Sequence, residues 1–212
     1  KKISKKLFQQ AKIILKSLLK DFNKIPNIKI IYTLDYRFKK NINLKKKNCY
    51  FVKKNPYTLW KSLIKKSDFF FPIAPETNNE LVKLIEFGRM QKKKIISNSI
   101  NAVKKTTSKY TTYRIFEKNS IPTIKTFKNI NKINFNNLNK WVIKPDDGAG
   151  CEENYIFDNK KKLVNFFNSK KNFVIQPLIK GSSYSVNIIS NNKGKILILG
   201  FNKQKIFYSK NK

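Results

Sequence analysis

The residues best suited to chemistry are a lysine and two glycines set close together, in Lys144-Pro145-Asp146-Asp147-Gly148-Ala149-Gly150. The apolar run before them, Trp141 to Ile143, reads as a strand, so Lys144 stands at a strand end and a flexible loop follows. Glycines let backbone N–H groups come close to phosphate oxygens, and a lysine adds a point charge, so this combination suits a polyphosphate. The same letters also spell a hairpin, because Asp-Gly is a strong turn dipeptide. The residues alone leave both readings open. The loop is not a P-loop: neither G-x-x-x-x-G-K-[ST] nor G-x-G-x-x-G occurs in the chain.

A second segment, Phe173-Val174-Ile175-Gln176-Pro177-Leu178-Ile179-Lys180-Gly181, runs from a buried-strand pattern into a short linker. Such a linker can offer backbone N–H and C=O groups to a base edge while apolar side chains hold the ring. A third candidate, Lys109, heads a helix after Ser108, but a single lysine means little in a chain this rich in lysine. Glu76, in Ala74-Pro75-Glu76-Thr77, suits either a substrate contact or the cap of the helix that follows it. The chain has no histidine, which excludes Ser-His triads, a His base and His-ligated metals. Two cysteines, Cys49 and Cys151, are too few for a four-Cys zinc site or a disulfide framework, and they read as an intracellular, cytoplasmic protein.

The elements that must position these residues follow from periodicity. Helical spacing marks Leu7 to Phe22, Tyr57 to Lys65, Asn78 to Gln91, Ser108 to Asn119 and Leu163 to Phe167. Strands are expected at Ile28 to Tyr32, Cys49 to Val52, Asp68 to Ile73 (as a buried strand) and Lys94 to Ser97. Further along they are expected at Thr123 to Phe127, Trp141 to Lys144, Asn154 to Phe157, Phe173 to Gln176, Ser183 to Ser190 and Lys195 to Phe201. Asn129 to Asn139 is rich in asparagine and reads as a surface excursion. Strand–helix alternation in the first half argues for a parallel sheet covered by helices, with ligands beyond the strand ends. The longest apolar runs, Phe69 to Ala74 and Ile196 to Leu199, fall far short of the ~20 residues that span a bilayer.

Taken in order, these motifs resemble the ATP-grasp superfamily, and within it the tyramine–glutamate ligase-like proteins. The resemblance rests on Ala74 to Thr77, on Lys109 heading a helix before Ser120-Ile121-Pro122, and on the loop from Lys144 to Gly150. It continues through Gln176 to Gly181, Ser185-Val186 and Gly200-Phe201-Asn202-Lys203-Gln204. It implies an α/β protein: a Rossmann-like pre-ATP-grasp domain over residues 1–103, then a partial ATP-grasp domain over 104–212. It implies that Lys109 and Lys144 contact ATP phosphates and that the segment Asp147 to Cys151, with Gly148, Ala149 and Gly150, folds over them. Gln176, Leu178 and Ile179 would line the adenine site. The implied reaction joins a small carboxylate to an amine through an acyl phosphate, with Mg²⁺ as cofactor. The family's metal ligands, Asp/Glu and Asn near its C-terminus, would lie beyond Lys212. Ser120, Pro177 and Ser183 depart from the family pattern, and Pro177 removes one backbone donor beside the adenine site.

The chain of 212 residues carries 47 Lys and Arg against 12 Asp and Glu, a formal charge of +35. Only Arg37, Arg89 and Arg114 are arginine, and the lysines are spread among Asn, Ile, Phe and Tyr. A/T-rich codons produce such a composition without a nucleic-acid partner, and base readout favours arginine. The expected partners are ATP, an acid and an amine, with no membrane. The other function classes kept open are a nucleotide-binding remnant without turnover and a Lys-rich nucleic-acid-binding protein.

Overall fold

The structure is a computed structural model that describes residues 5–39, 48–135, 140–148, 153–191 and 193–205. The first half runs α1 (Lys5–Phe22), β1 (Tyr32–Asp35), β2 (Cys49–Val52), α2 (Tyr57–Lys65), β3 (Phe69–Phe70), α3 (Glu80–Met90) and β4 (Lys94–Ile95). The second runs α4 (Ile100–Thr107), α5 (Lys109–Lys118), β5 (Trp141–Pro145), β6 (Tyr155–Phe157), α6 (Lys160–Asn168), β7 (Phe173–Pro177), β8 (Ser183–Ser190) and β9 (Ile196–Gln204). The chain forms two compact units, Lys1–Phe71 with Phe87–Ile96, and Pro72–Glu86 with Ser97–Lys212.

The first unit holds two parallel strand pairs. Tyr32 to Asp35 pairs with Cys49 to Val52, and Phe69-Phe70 with Lys94-Ile95. The parallel pairing meets the sequence expectation, but the strands differ from it. The strand expected over Ile28 to Tyr32 begins only at Tyr32, because that is where Cys49 comes opposite; Ile28 lies 51% exposed. The buried strand expected over Asp68 to Ile73 shrinks to two paired residues, and Phe69 and Ile73 are exposed. α2 turns Leu63 and Ile64 inward, and the Trp60 indole donates to the Thr33 hydroxyl at 3.1 Å. A Cβ at Gly88 would stand 2.6 Å from the Phe70 ring, so this turn of α3 can approach β3 only as glycine.

The second unit is built on a three-stranded antiparallel sheet in the order β6-β5-β7. Successive side chains on a strand face opposite ways. Trp141 and Ile143 of β5, with Ile175 of β7, meet Leu163 of α6 and Ile133 in one core. Ile143 and Ile175 are 0% exposed and Leu163 1%. Each contributes about 1.5–3 kcal/mol of burial. α6 starts where the Asn159 side chain accepts the Lys162 N–H.

Three further differences from the sequence reading occur here. Thr123 to Phe127 is not a strand; it makes a single bridge, Phe127 to Ile175. The excursion expected over Asn129 to Asn139 instead sends Ile133 into the core, with Ile130 and Phe135 packed against it. Positions 136–139 lie outside the described residues. An additional helix, α4, starts at Ser99, whose hydroxyl accepts the Ala102 N–H, and buries Val103. β8 and β9 form a separate antiparallel pair, with an irregularity between Asn187 and Ile188.

Candidate functional site

Strand alternation places two of the expected site residues on one surface. With Trp141 and Ile143 in the core, Val142 and Lys144 point to the other face of β5. The register sets Gln176 opposite Val142 and Val174 opposite Lys144, so Lys144 and Gln176 share that face. The loop after β5 leads into β6, which pairs antiparallel with β5. In outline the loop is therefore that of a hairpin, as the Asp-Gly turn suggested.

Lys109 lies at this loop. Its backbone N–H donates to the Asp146 carbonyl at 3.0 Å. Its ammonium donates to the carbonyls of Pro145 at 2.7 Å, Asp146 at 3.3 Å and Gly148 at 2.8 Å. The Asp147 carbonyl accepts the Thr77 hydroxyl at 3.2 Å, and its carboxylate accepts the Asn172 side-chain amide at 3.1 Å. The Ala74 to Thr77 segment thus reaches the loop through Thr77. Glu76 precedes a short 3-10 turn, and its side chain makes no capping bond there. A Cβ on Gly148 would come within 2.8 Å of the Pro145 Cβ, so the loop's own packing demands this glycine. Ala149, Gly150 and Cys151 lie outside the described residues.

At the other end of β7, the Gln176 side-chain amide donates to the Thr126 hydroxyl at 2.6 Å, and Thr126 donates onward to the Ile124 carbonyl. The Leu178 N–H donates to the Lys140 carbonyl at 3.0 Å. Pro177 has no N–H, so Ile179, 59% exposed, is the first linker residue after Gln176 whose donor neither constraint removes.

One side chain that the sequence reading did not single out organises the loop. Asp146 is 3% exposed. One carboxylate oxygen accepts the Tyr110 N–H at 2.8 Å. The other accepts the Ser108 hydroxyl at 2.8 Å and meets the Lys128 ammonium at 2.7 Å. The Asp146 N–H donates to the Asn172 carbonyl at 2.8 Å. Burial alone would raise this carboxyl's pKa. The Lys128 ammonium, the Tyr110 N–H and the Ser108 hydroxyl together outweigh burial and hold it below 3.8. The signal for Asp146 was present in the sequence: an acidic residue directly after Lys-Pro, in a chain with only 12 acids.

The acidic groups here are committed to Lys128, Ser108 and Asn172. Among the described residues no three Asp, Glu, Cys or His side chains come together as a metal site. The described residues do not fit Mg²⁺, and no step below passes through a metal. No helix among them is long and apolar enough to cross a membrane.

Comparison with known proteins places the chain in a family. A family model described as an ATP-grasp domain matches residues 106–212, and one described as pre ATP-grasp 3 matches 28–103. A curated tyramine–L-glutamate ligase of Methanocaldococcus fervens is 31% identical over 194 residues, 92% of this chain. The chain spans about half of that relative, 53% of its length. Among solved structures, D-alanyl-alanine synthetase A of Vibrio cholerae superposes with a TM-score of 0.55 at 14% identity, over 68% of this chain and 49% of its own. The biotin carboxylase domain of Hydrogenobacter thermophilus 2-oxoglutarate carboxylase, in complex with MgADP, gives 0.57 at 14% identity, over 73% and 40%. These two likenesses concern the fold.

Proposed function

Because the chain belongs to the ATP-grasp family, we propose that it serves an ATP-dependent carboxylate–amine ligase acting on a small amino-acid-like acid. ATP enters as substrate, its adenine beside Gln176, Leu178 and Ile179 and its phosphates toward Lys144, Lys109 and the loop over 147–150. A carboxylate oxygen of the acid attacks the γ-phosphorus, the bond to the ADP oxygen breaks, and an acyl phosphate forms. The amine then attacks the acyl carbon and loses a proton, and phosphate leaves as the amide forms. Lysines near the transferring phosphoryl group stabilise charge that spreads over its oxygens. A loop closed over the phosphates keeps water from the acyl phosphate. No protein nucleophile is required, which suits a chain without histidine.

The observation that carries this reading is the shared face of Lys144 and Gln176, at whose strand end Lys109 is bonded to the loop. Support for the division at residues 103 and 104 comes from the two family matches, which meet close to that point. A cytoplasmic setting, where ATP is supplied, belongs to the same proposal.

Calorimetric titration with ATP tests it. Lys144→Ala is expected to weaken ATP binding by about tenfold or more. Unchanged binding would sink the nucleotide site. L-Glutamate and tyramine, the substrates in the relative's name, are the first pair to supply; ADP release that requires both is the expected result for the whole protein.

A further inference from the structure

Asp146 has no part in the chemistry above, yet its carboxylate is buried and held by three partners. A carboxylate is costly to bury, even in a chain with a charge of +35. It carries no proton to give, because its pKa lies below the ordinary value. Its partners instead come from separate stretches of chain. Ser108 and Tyr110 belong to the start of α5, Lys128 follows the bridge at Phe127, and the backbone of Asn172 precedes β7.

We propose that Asp146 is a positioning residue for the phosphate site: it fastens the first turn of α5 to the end of β5 and thereby sets the Lys109 ammonium against the loop. The proposal rests on the nucleotide-site reading. Three bonds run in parallel between the segments. The Ser108 hydroxyl and the Tyr110 N–H reach the Asp146 side chain, and the Lys109 N–H reaches its carbonyl. The carboxylate also occupies the positive end of the α5 dipole, so this helix end is satisfied from within the chain. The Lys109 ammonium, held by the carbonyls of Pro145, Asp146 and Gly148, is the positive charge this arrangement sets at the loop, and its place depends on Asp146. Lys128, half exposed, completes the charge balance from outside.

Titration of the full chain with ATP and with adenosine tests this, alongside thermal melts. Asp146→Asn keeps the shape and can still accept the Tyr110 N–H, but loses the charge that holds Lys128. It is expected to weaken ATP about tenfold while adenosine stays within about twofold, because the adenine residues lie on β7 and its linker. Lys128→Ala is expected to move ATP the same way by less, and decides the matter if Asp146→Asn does not fold. The proposal is overturned if both variants bind ATP as the wild type does. It is equally overturned if ATP and adenosine weaken together, which would mark a purely structural role. Lys144→Ala separates the two readings. If it weakens ATP and Asp146→Asn does not, only the positioning role falls; if neither variant has an effect, the nucleotide site falls with it.

Discussion

Two sheets in the second unit are made of similar residues and end in opposite circumstances. β5 and β7 carry Trp141, Ile143, Val174 and Ile175, all at 5% exposure or less. β8 and β9 carry Val186, Ile188, Ile189 and the run Ile196 to Leu199, all between 47% and 61% exposed. The difference lies in cover. α6 and the Ile130 to Phe135 stretch lie against the face of β5 and β7 that carries Trp141, Ile143 and Ile175, and Val174, on the opposite face across from Lys144, is buried as well, whereas both faces of the β8–β9 pair stand bare among the described residues. An uninterrupted apolar run reads as a strand buried on both sides. The pattern is a demand for cover, and only the first sheet has it met here. Burial, and with it stability, therefore belongs to the arrangement around a strand as much as to its letters.

The largest test removes apolar volume from each sheet. Leu163→Ala, or Ile143→Ala, is expected to cost about 2–5 kcal/mol, since it opens a cavity in a closed core. Leu197→Ala on the bare hairpin is expected to stay within about 0.5 kcal/mol. Denaturant midpoints measure both. A loss above about 2 kcal/mol at Leu197 would mean that the hairpin is covered in solution, and the contrast would fail.

The same distinction explains what the sequence could tell. α1, α2, α3 and α5 were legible because apolar spacing and breakers mark them locally. β5 and β7 were legible because their apolar runs are short and bounded. α4 was hidden behind Lys104, Lys105, Thr106 and Thr107, whose charge and β-branching blur a one-turn apolar pattern, although Ser99 is a plain cap. The true start of β1 depends on where Cys49 falls, and a strand cannot report its partner's register. For the site, the Lys144 loop could be read as letters, and the ATP-grasp resemblance drawn from it is matched by the family model over 106–212. The reason for Gly148 could not, because the obstacle is the fold of the Pro145 ring against it. The role of Asp146 is not legible locally, because Ser108, a partner 38 residues away, is brought to it only by the fold.

Glycines give a smaller test. Gly148→Ala forces a methyl against a proline ring that cannot rotate away, and is expected to cost about 1–3 kcal/mol. Retained stability would show that the loop shifts freely at Gly148. Acid gives a test confined to low pH. Asp146 has its folded pKa below the ordinary 3.8, so its contribution is present above that value and lost as pH falls through the lower folded value. Asp146→Asn is expected to flatten the stability profile below about pH 4, the ordinary carboxylate range. An unchanged acid limb, followed by circular dichroism, would mean that Lys128 and the α5 terminus do not hold this carboxylate in solution.

The smallest effect bears most directly on the bare hairpin. Gly200 lies in β9 opposite Asn187, beside the irregular register, and a Cβ built there meets nothing within 4 Å. Its backbone lies outside the left-handed region that favours glycine. An added methyl therefore meets no clash and restricts the unfolded chain, so Gly200→Ala is expected to stabilise by about 0.4–1 kcal/mol. Gly148→Ala should move the denaturation midpoint the other way. If Gly200→Ala also destabilises, a neighbour must lie against β9 at that point. The exposed Leu199 and Phe201 side chains on either side of Gly200 would then belong to the surface that neighbour covers, and the two sheets would differ in what covers them rather than in whether they are covered.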